Sequence, residues 1–257
     1  MQVSHTEAVG FQGFKWVKAF HLMLLLLTVT ALHFLSLLYQ KTIVLFSRDP
    51  NAEDRIHDVC CSWARTVFQW SPWWDLDLDG QENLPRDDEP RVVVVNHESA
   101  TDIFTLYWLG LQFRWLAKAS VFRIPIIGTA MRWAGYIPVH RGRKTSRKEA
   151  MSRSADVLKK GRCMAFFPEG TRSTTGEFRP FKPGAFRLSV SENVEILPVV
   201  LRGAGDLLKK GSIVPQRAVI SMSVLPPMKA AEGESIEDFT ERVRNKMIDV
   251  HKLPTHS

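Results

Sequence analysis

The chain has 257 residues, 45% of them hydrophobic and 24% charged, so it can bury a core of its own and is neither disordered nor collagen-like. Its three cysteines are too few and too badly spaced for a disulfide framework or a four-ligand zinc site, which favours a reducing compartment. The net charge of +7 is uneven, because residues 110–190 hold 17 Lys and Arg against 4 Asp and Glu. A middle third this basic predicts an anionic partner: nucleic acid, an anionic membrane surface or a phosphorylated substrate.

The first predicted element is a hydrophobic helix. Residues 19–38 contain 15 apolar residues and no formal charge, which matches the length of a bilayer-spanning helix. Lysines on both sides leave its orientation open, and no small-residue cleavage site follows it, which argues against a signal peptide. We expect a membrane anchor here, and a buried core helix is the alternative.

A second, amphipathic helix is predicted over residues 53–70, ending in an aromatic cluster of Trp70, Trp73 and Trp74. Tryptophans are enriched in the headgroup layer of membranes, but these three fit a protein core equally well. The two helices could form a hairpin that dips into one leaflet instead of a single crossing. We therefore predict an N-terminal helical anchor over residues 1–80 and a catalytic domain over residues 81–257.

Strands and helices alternate in the rest of the chain. Apolar runs predict strands at residues 91–95, 113–117, 136–139, 163–167, 196–201 and 217–224. Helices are predicted at residues 101–109, 124–134, 144–160 and 184–191, with a weakly packed helix at 235–251. Such alternation predicts an α/β fold with a mostly parallel, mixed sheet flanked by helices. Sites in such sheets lie beyond the carboxyl ends of the strands.

The first candidate loop follows the strand at residues 91–95 and reads Asn-His-Glu-Ser-Ala-Thr-Asp over residues 96–102. If the strand ends at His97 and a helix starts near residue 100, the turn lets Asp102 reach one imidazole nitrogen. A carboxylate there fixes the tautomer and leaves the other nitrogen free as a general base. A helix-capping Asp102 beside an incidental His97 is the alternative.

The second candidate loop follows the strand at residues 163–167 and reads Phe-Pro-Glu-Gly-Thr-Arg-Ser over residues 167–173. Gly170 permits a turn in which backbone N–H groups converge, and Arg172 adds a cation, as in an anion-binding loop. Lys-Pro-Gly at 182–184 then opens a helix whose N-terminus also favours anions. A surface turn with a solvated arginine is the alternative.

Lys118 is the third candidate, since it ends a predicted strand ahead of a long apolar stretch. Most lone lysines are simply solvated. The apolar loop at residues 124–128 could lie against lipid, wall a pocket or enter the core.

Taken in order, these blocks make the chain resemble the glycerolipid acyltransferase family, in particular the 1-acyl-sn-glycerol-3-phosphate acyltransferases. One departure is His140, where many members of the family carry Asp. The matching blocks are N-H-x4-D at 96–102, Lys118 with P-x-x-G at 125–128, a G-Y-I-x-V-x-R strand at 135–141, F-P-E-G-T-R-S at 167–173 with Lys-Pro-Gly at 182–184, and I-x-P-V at 196–199.

The resemblance implies acyl transfer. His97 would take the proton of an acceptor hydroxyl as that hydroxyl attacks an acyl thioester, and Asp102 would orient and support the imidazolium. No protein nucleophile is needed, because the hydroxyl is itself the nucleophile.

A substrate-binding set is implied as well. Arg172 and Lys118 would hold the phosphate of the acceptor, and Glu169 would brace the loop or the acceptor backbone. Gly170 and Thr171 complete the set. No metal is expected and no cofactor, apart from acyl-CoA or acyl carrier protein as the donor substrate.

The expected product is phosphatidic acid, made from lysophosphatidic acid at a membrane by a domain facing the cytoplasm, which is the inner membrane in a bacterium. Another lysolipid acceptor, such as a lyso-ornithine lipid, remains an alternative, as do a thioesterase and a non-catalytic basic module that binds membrane or nucleic acid. No nucleic acid is expected as a partner, since a binding module has no use for a base–carboxylate pair.

Overall fold

The computed structural model describes residues 5–47, 49–86, 89–99, 101–140, 142–173, 177–207 and 214–253. Within these ranges the α helices are α1 His5–Ser47, α2 Ala52–Gln69, α3 Asp102–Leu106, α4 Ile127–Trp133, α5 Lys144–Lys159, α6 Gly184–Glu192, α7 Ala204–Leu207 and α8 Ile236–His251. The strands are β1 Trp74–Asp79, β2 Val92–Val95, β3 Phe113–Lys118, β4 Ile137–Val139, β5 Cys163–Phe166, β6 Ile196–Arg202 and β7 Ala218–Val224.

The strands form one seven-stranded sheet in the order β1-β7-β6-β2-β5-β3-β4. All neighbouring pairs are parallel except β6 and β7, which are antiparallel. The predicted mostly parallel, mixed α/β sheet is therefore confirmed. Its centre is β2, whose four valines are all buried, as expected for a strand covered on both faces.

Helices cover the two faces of this sheet. Val93 and Val95 point into a core shared with α2, α3 and α4. Val92 and Val94 point the other way, into a core shared with α5, α6 and α8. The alternation of side chains along a strand thus assigns each helix layer to one face.

Strand β1 was not predicted, and it corrects the proposed division at residue 80. Residues 74–79 read Trp-Asp-Leu-Asp-Leu-Asp and pair with β7 at the edge of the sheet. Trp74 is buried against Phe68, whereas Trp70 is largely exposed. The helical N-terminal segment therefore ends before β1, and the α/β domain begins there.

The prediction that the C-terminal helix is weakly packed is wrong. Phe239, Val243 and Met247 have no exposed surface, and they pack against Phe186 and the neighbouring strands. These three residues are spaced four apart, so they form one continuous apolar stripe along α8.

Helix α1 is longer than predicted, with 43 residues. Its segment Trp16–Ser47 is long and apolar enough to cross a membrane. Leu22, Leu25 and Val29 nevertheless pack against the α/β domain, in a core that includes Trp74 and Ile220. The helix therefore runs along the domain instead of leading away from it.

Candidate active site

The predicted site residues meet at the carboxyl ends of the parallel strands. His97 follows β2, Lys118 ends β3, and residues 167–173 follow β5. All three open into one cavity of about 1670 Å³. Its walls come from both faces of the sheet and from α1, so the cavity passes over the sheet edge.

His97 and Asp102 form the predicted pair. Nδ1 of His97 lies 2.6 Å from Oδ2 of Asp102, and Asp102 is fully buried. Because a carboxylate only accepts hydrogen bonds, Nδ1 carries the proton and Nε2 is the basic nitrogen. His97 lines the cavity, and no described residue hydrogen-bonds to its Nε2. The pair is therefore arranged to take a proton from a bound ligand.

Hydrogen bonds to backbone groups hold the loop that carries this pair. Asp102 accepts hydrogen bonds from the N–H groups of Glu98 and Ser99 as well as from His97. Burial raises the pKa of Asp102, and these hydrogen bonds oppose the rise. The Asn96 side chain pairs with both backbone groups of Leu201, which fixes the end of β2 to β6.

Glu169 braces the two loops and does not line the cavity. One carboxylate oxygen accepts the backbone N–H of His97 at 2.9 Å, and the other accepts that of Arg179 at 3.2 Å. Burial raises the pKa of Glu169, against the effect of these bonds. Of the two roles implied for Glu169, these contacts match the brace of the loop, and a direct contact with substrate stays a prediction.

A second contact between the loops orients the imidazole. The ring of Phe167 stacks on that of His97 with centroids 4.3 Å apart. The N–H of Ser173 donates to the carbonyl of His97 at 2.7 Å. The two motif loops therefore form one hydrogen-bonded unit around His97.

The cationic side chains are arranged quite differently. Three cationic side chains, those of Lys118, Arg172 and Lys182, are exposed and line the cavity. The neutral side chain of Thr171 is also exposed and lines it. Within the part of the chain that the structure describes, no hydrogen bond or ion pair occupies the three cationic side chains. They are free to meet an anion.

Lys182 was noted in the sequence only as the start of a helix, and the structure brings it into the site. Gly170 has a φ of +71°, which favours glycine. A Cβ on Gly170 would lie 2.2 Å from Nζ of Lys182, so the ammonium group sits directly over this turn. The Lys-Pro-Gly block that follows the loop is the sequence signal for it.

The opposite end of the cavity is apolar and lies among α1, α2 and α4. A small polar chain closes it: Nδ1 of His57 and the hydroxyl of Tyr107 both bond to the hydroxyl of Tyr136, at 2.9 Å each. Nε2 of His57 donates to the carbonyl of Leu111. Burial lowers the pKa of His57 to about 3, so its ring is neutral. The residues that line this apolar end include Phe34, Leu37, Trp63, Phe104 and Met131.

The apolar loop at residues 124–128 forms part of the rim of this end. Ile124 and Ile127 line the cavity while remaining substantially exposed. A Cβ on Gly128 would lie 2.1 Å from the carbonyl oxygen of Phe122, so only glycine fits there. The P-x-x-G block thus holds an apolar rim at the cavity mouth.

All three cysteines are buried. Burial raises the pKa of Cys60 and of Cys61 to about 12, and that of Cys163 to about 11, so these thiols stay protonated. No group of three or more His, Cys, Asp or Glu side chains within the described ranges is placed to hold a metal ion. Arg141 lies outside the described residues.

Comparisons with known proteins group the chain with acyltransferases. A family model described as Acyltransferase matches residues 75–202. A chloroplastic 1-acyl-sn-glycerol-3-phosphate acyltransferase of Arabidopsis thaliana is 37% identical over 186 residues, or 72% of this chain and 51% of the relative. The 1-acyl-sn-glycerol-3-phosphate acyltransferase of Borreliella burgdorferi is 30% identical over 193 residues, or 74% of this chain and 76% of the relative.

Among solved structures with the same fold is the 1-acyl-sn-glycerophosphate (LPA) acyltransferase PlsC of Thermotoga maritima, with a TM-score of 0.71, 23% identity, and coverage of 91% of this chain and 97% of that one. The chain spans about half the length of the plant and algal relatives that it matches.

Proposed function

We propose that this chain, which belongs to the acyltransferase family that includes the 1-acyl-sn-glycerol-3-phosphate acyltransferases, makes phosphatidic acid by moving a fatty acyl group from an acyl thioester to the sn-2 hydroxyl of 1-acylglycerol-3-phosphate. One observation carries the proposal. His97, paired with the buried Asp102, lines a single cavity with an apolar end on one side and, on the other, a group of cations that are unpaired among the described residues. A lysophosphatidic acid has these same two ends with a hydroxyl between them.

In the proposed reaction His97 acts as the general base. Its Nε2 accepts the proton of the acceptor hydroxyl while the oxygen attacks the thioester carbonyl. The C–O bond forms, the C–S bond breaks, and the leaving thiolate takes the proton from the imidazolium. Asp102 stabilises the imidazolium through the 2.6 Å contact with Nδ1, which keeps the ring in the productive tautomer.

Three cations are suited to bind the acceptor phosphate. Lys118, Arg172 and Lys182 line the cavity and are unpaired among the described residues. Arg172 can form two parallel hydrogen bonds to a phosphate, whereas the lysines act as point charges. Backbone N–H groups at the Gly170–Thr171 turn can supplement them. We assign the predicted phosphate site to this group and add Lys182 to it.

The cavity also offers a route for the donor. Beyond the cations it continues between α5 and α6, where Arg147, Lys159 and Arg187 line it. Among the described residues, Lys159 and Arg187 each make one long ion pair, at 3.7 Å. This basic side can meet the phosphates of coenzyme A or the acidic surface of an acyl carrier protein.

Helix α1 supports attachment to one leaflet of a membrane. Its outward face carries many exposed apolar side chains, among them Phe20, Leu27 and Leu35, which are each more than half exposed. Its inward face packs on α2, and Trp63 of α2 donates to Thr30. The outer face of α2 carries Glu53, Arg55 and Asp58, which are exposed and too polar for the bilayer interior.

A crossing by α1 would draw α2 and the edge of the sheet into the bilayer with it. We therefore favour α1 lying in the interface with its apolar face in lipid. The domain would then face the cytoplasm, the compartment that holds acyl thioesters and in which unpaired buried cysteines are usual.

The test is product identification with the purified protein in detergent. The labelled donor is acyl-CoA or acylated acyl carrier protein, and the acceptor is lysophosphatidic acid or a neutral lysolipid. Each combination is assayed with wild type and with His97→Ala. The proposal predicts labelled phosphatidic acid from wild type alone. Acylation of the neutral lysolipid in preference would identify another acceptor, and free fatty acid without acylated lipid would identify a thioesterase.

A further inference from the structure

Helix α8 touches both loops that form the site. His251, its last residue, lies with Nε2 3.1 Å from Oε1 of Glu98. A carboxylate accepts, so Nε2 of His251 is the donor. One to two turns earlier, Arg244 donates to the carbonyls of Phe178 and Arg179, at 3.1 and 3.2 Å. The ring of Phe178 also packs edge-on against that of His251, at 5.2 Å.

Each contact leads to His97 through a short series of hydrogen bonds. The N–H of Glu98 donates at 2.8 Å to Oδ2 of Asp102, the oxygen that also pairs with His97. The N–H of Arg179 donates to Glu169, whose other oxygen holds the N–H of His97. A shift of α8 would therefore reach the catalytic loop through two independent hydrogen-bond paths.

The helix is itself a fixed support. Its apolar stripe is fully buried, as described above for Phe239, Val243 and Met247. At its end, the guanidinium of Arg202 donates to the carbonyls of Val250 and Leu253, at 3.2 and 2.8 Å. His251 is thus held relative to β6, the strand beside the one that carries His97.

We propose that His251 is a positioning residue for acyl transfer, acting through Glu98 to hold the backbone between His97 and Asp102. The proposal rests on the proposed function. Apart from His251, the partner of the Glu98 carboxylate among the described residues is the Asn96 amide, at a long 3.3 Å. Without His251 this mostly buried carboxylate gains by turning toward water, away from the negative charges of Asp102 and Glu169. Because Glu98 directly follows His97 in the chain, turning its side chain pulls on the backbone at His97.

The experiment compares His251→Leu with His251→Gln, because leucine fills space while glutamine restores an N–H donor. Lys246→Ala, at an exposed position on the same helix, is the matched control. For each protein, kcat and KM for lysophosphatidic acid and acyl-CoA are measured, together with Tm. We expect His251→Leu to lower kcat about tenfold with little change in either KM, since misplacing a base affects the chemical step. His251→Gln recovers most of that loss, and Lys246→Ala behaves as wild type.

A double-mutant cycle with Glu98→Leu tests the path. If His251 acts through Glu98, His251→Leu costs little further activity in the Glu98→Leu background. Independent, multiplying losses would overturn the proposal, and so would equal activity of the Leu and Gln variants. The cycle uses activity ratios at a temperature below the lowest Tm, so a merely less stable variant does not mimic the effect. An inactive wild type would overturn the proposed function and this inference together, whereas an active wild type with a fully active His251→Leu variant overturns the inference alone.

Discussion

The catalytic loop, residues 96–102, and the cationic rim of the cavity, formed by Lys118, Arg172 and Lys182, are built in opposite ways. In the catalytic loop, the polar atoms of Asn96 and Asp102, like those of the bracing Glu169 from the second loop, are buried and hydrogen-bonded to backbone groups up to 105 residues away in the chain. At the rim, Arg172 and Lys182 are exposed and make no such bonds within the described ranges. The groups of the catalytic loop are hydrogen-bonded before any ligand binds, whereas the cationic side chains of the rim remain available to an anion.

This contrast follows from what each region has to do. A proton transfer needs its base within hydrogen-bond reach of the hydroxyl, so the geometry must be fixed in advance. A phosphate carries its own charge and can draw flexible side chains to it. We therefore expect changes in the loop to lower kcat, and changes at the rim to raise the KM for the acceptor.

The largest effect is expected from His97→Ala. Loss of the base should lower kcat by about 10³-fold, within the usual range for general-base catalysis. The variant should stay folded, because the backbone N–H groups of Glu98 and Ser99 still bind Asp102, and circular dichroism provides that control. A near-normal kcat in a folded variant would show that His97 is not the base.

Asp102→Asn should lower kcat by about 10²-fold and also lower stability. The neutral amide of asparagine cannot support an imidazolium as a carboxylate does. Its NH2 group replaces one of the two carboxylate oxygens and cannot accept the hydrogen bonds that the backbone N–H groups of Glu98 and Ser99 donate there. We expect the free energy of unfolding to fall by about 1–3 kcal/mol, measured by denaturant titration in detergent. Equal stability of His97→Ala and Asp102→Asn would contradict the structural half of this role.

The buried polar chain at the apolar end of the cavity resembles the catalytic loop, because its polar groups are hydrogen-bonded within the protein. Its His57 makes the free energy of unfolding depend on pH. With a folded-state pKa of about 3 against an ordinary value of 6.5, the unfolded chain binds the proton first as pH falls. The stability from keeping His57 neutral is therefore present above pH 6.5 and is lost between 6.5 and 3, at about 1.4 kcal/mol per pH unit.

His57→Gln removes this titration while offering a hydrogen-bonding side chain of similar reach. The difference in unfolding free energy between wild type and His57→Gln, measured from pH 7 to 4.5, should change steadily to the disadvantage of wild type as pH falls. Other titrating groups cancel in that difference. Parallel curves for the two proteins would refute the assignment of a neutral, buried imidazole.

At the rim, Arg172→Ala and Lys182→Ala should each raise the KM for lysophosphatidic acid about tenfold, the worth of one charge-assisted hydrogen bond. Neither should alter Tm or the KM for acyl-CoA by much. Arg153→Ala serves as control, since Arg153 is an exposed arginine that does not line the cavity. Equal effects of Arg172→Ala on acceptor and donor would remove the phosphate role.

The sequence predicted the parts of the molecule whose signals are local. The valine run of β2, the turn that returns Asp102 to His97 and the glycine turn at Gly170 depend on neighbouring residues, and the structure has each of them where expected. Strand β1 escaped prediction because three aspartates interrupt it, as suits a strand at the edge of a sheet.

Other features depend on distant pairings that periodicity cannot reveal. His251 and Glu98 are 153 residues apart in the chain. The family resemblance implied that Glu169 braces either the loop or the acceptor backbone, and only the fold shows that its two oxygens accept the backbone N–H groups of His97 and Arg179. Helix α8 was expected to be weakly packed, although its apolar residues at 239, 243 and 247 already marked a buried stripe.

The most direct test of the division between loop and rim uses two acceptors, lysophosphatidic acid and the corresponding monoacylglycerol without phosphate. Steady-state constants for both are measured with wild type, His97→Ala and the double variant Arg172→Ala/Lys182→Ala. The account predicts that the double variant loses most of its preference for the phosphorylated acceptor through KM while retaining kcat, and that His97→Ala loses kcat with its preference intact. A double variant that loses kcat at unchanged KM, or that keeps the full preference, would contradict it.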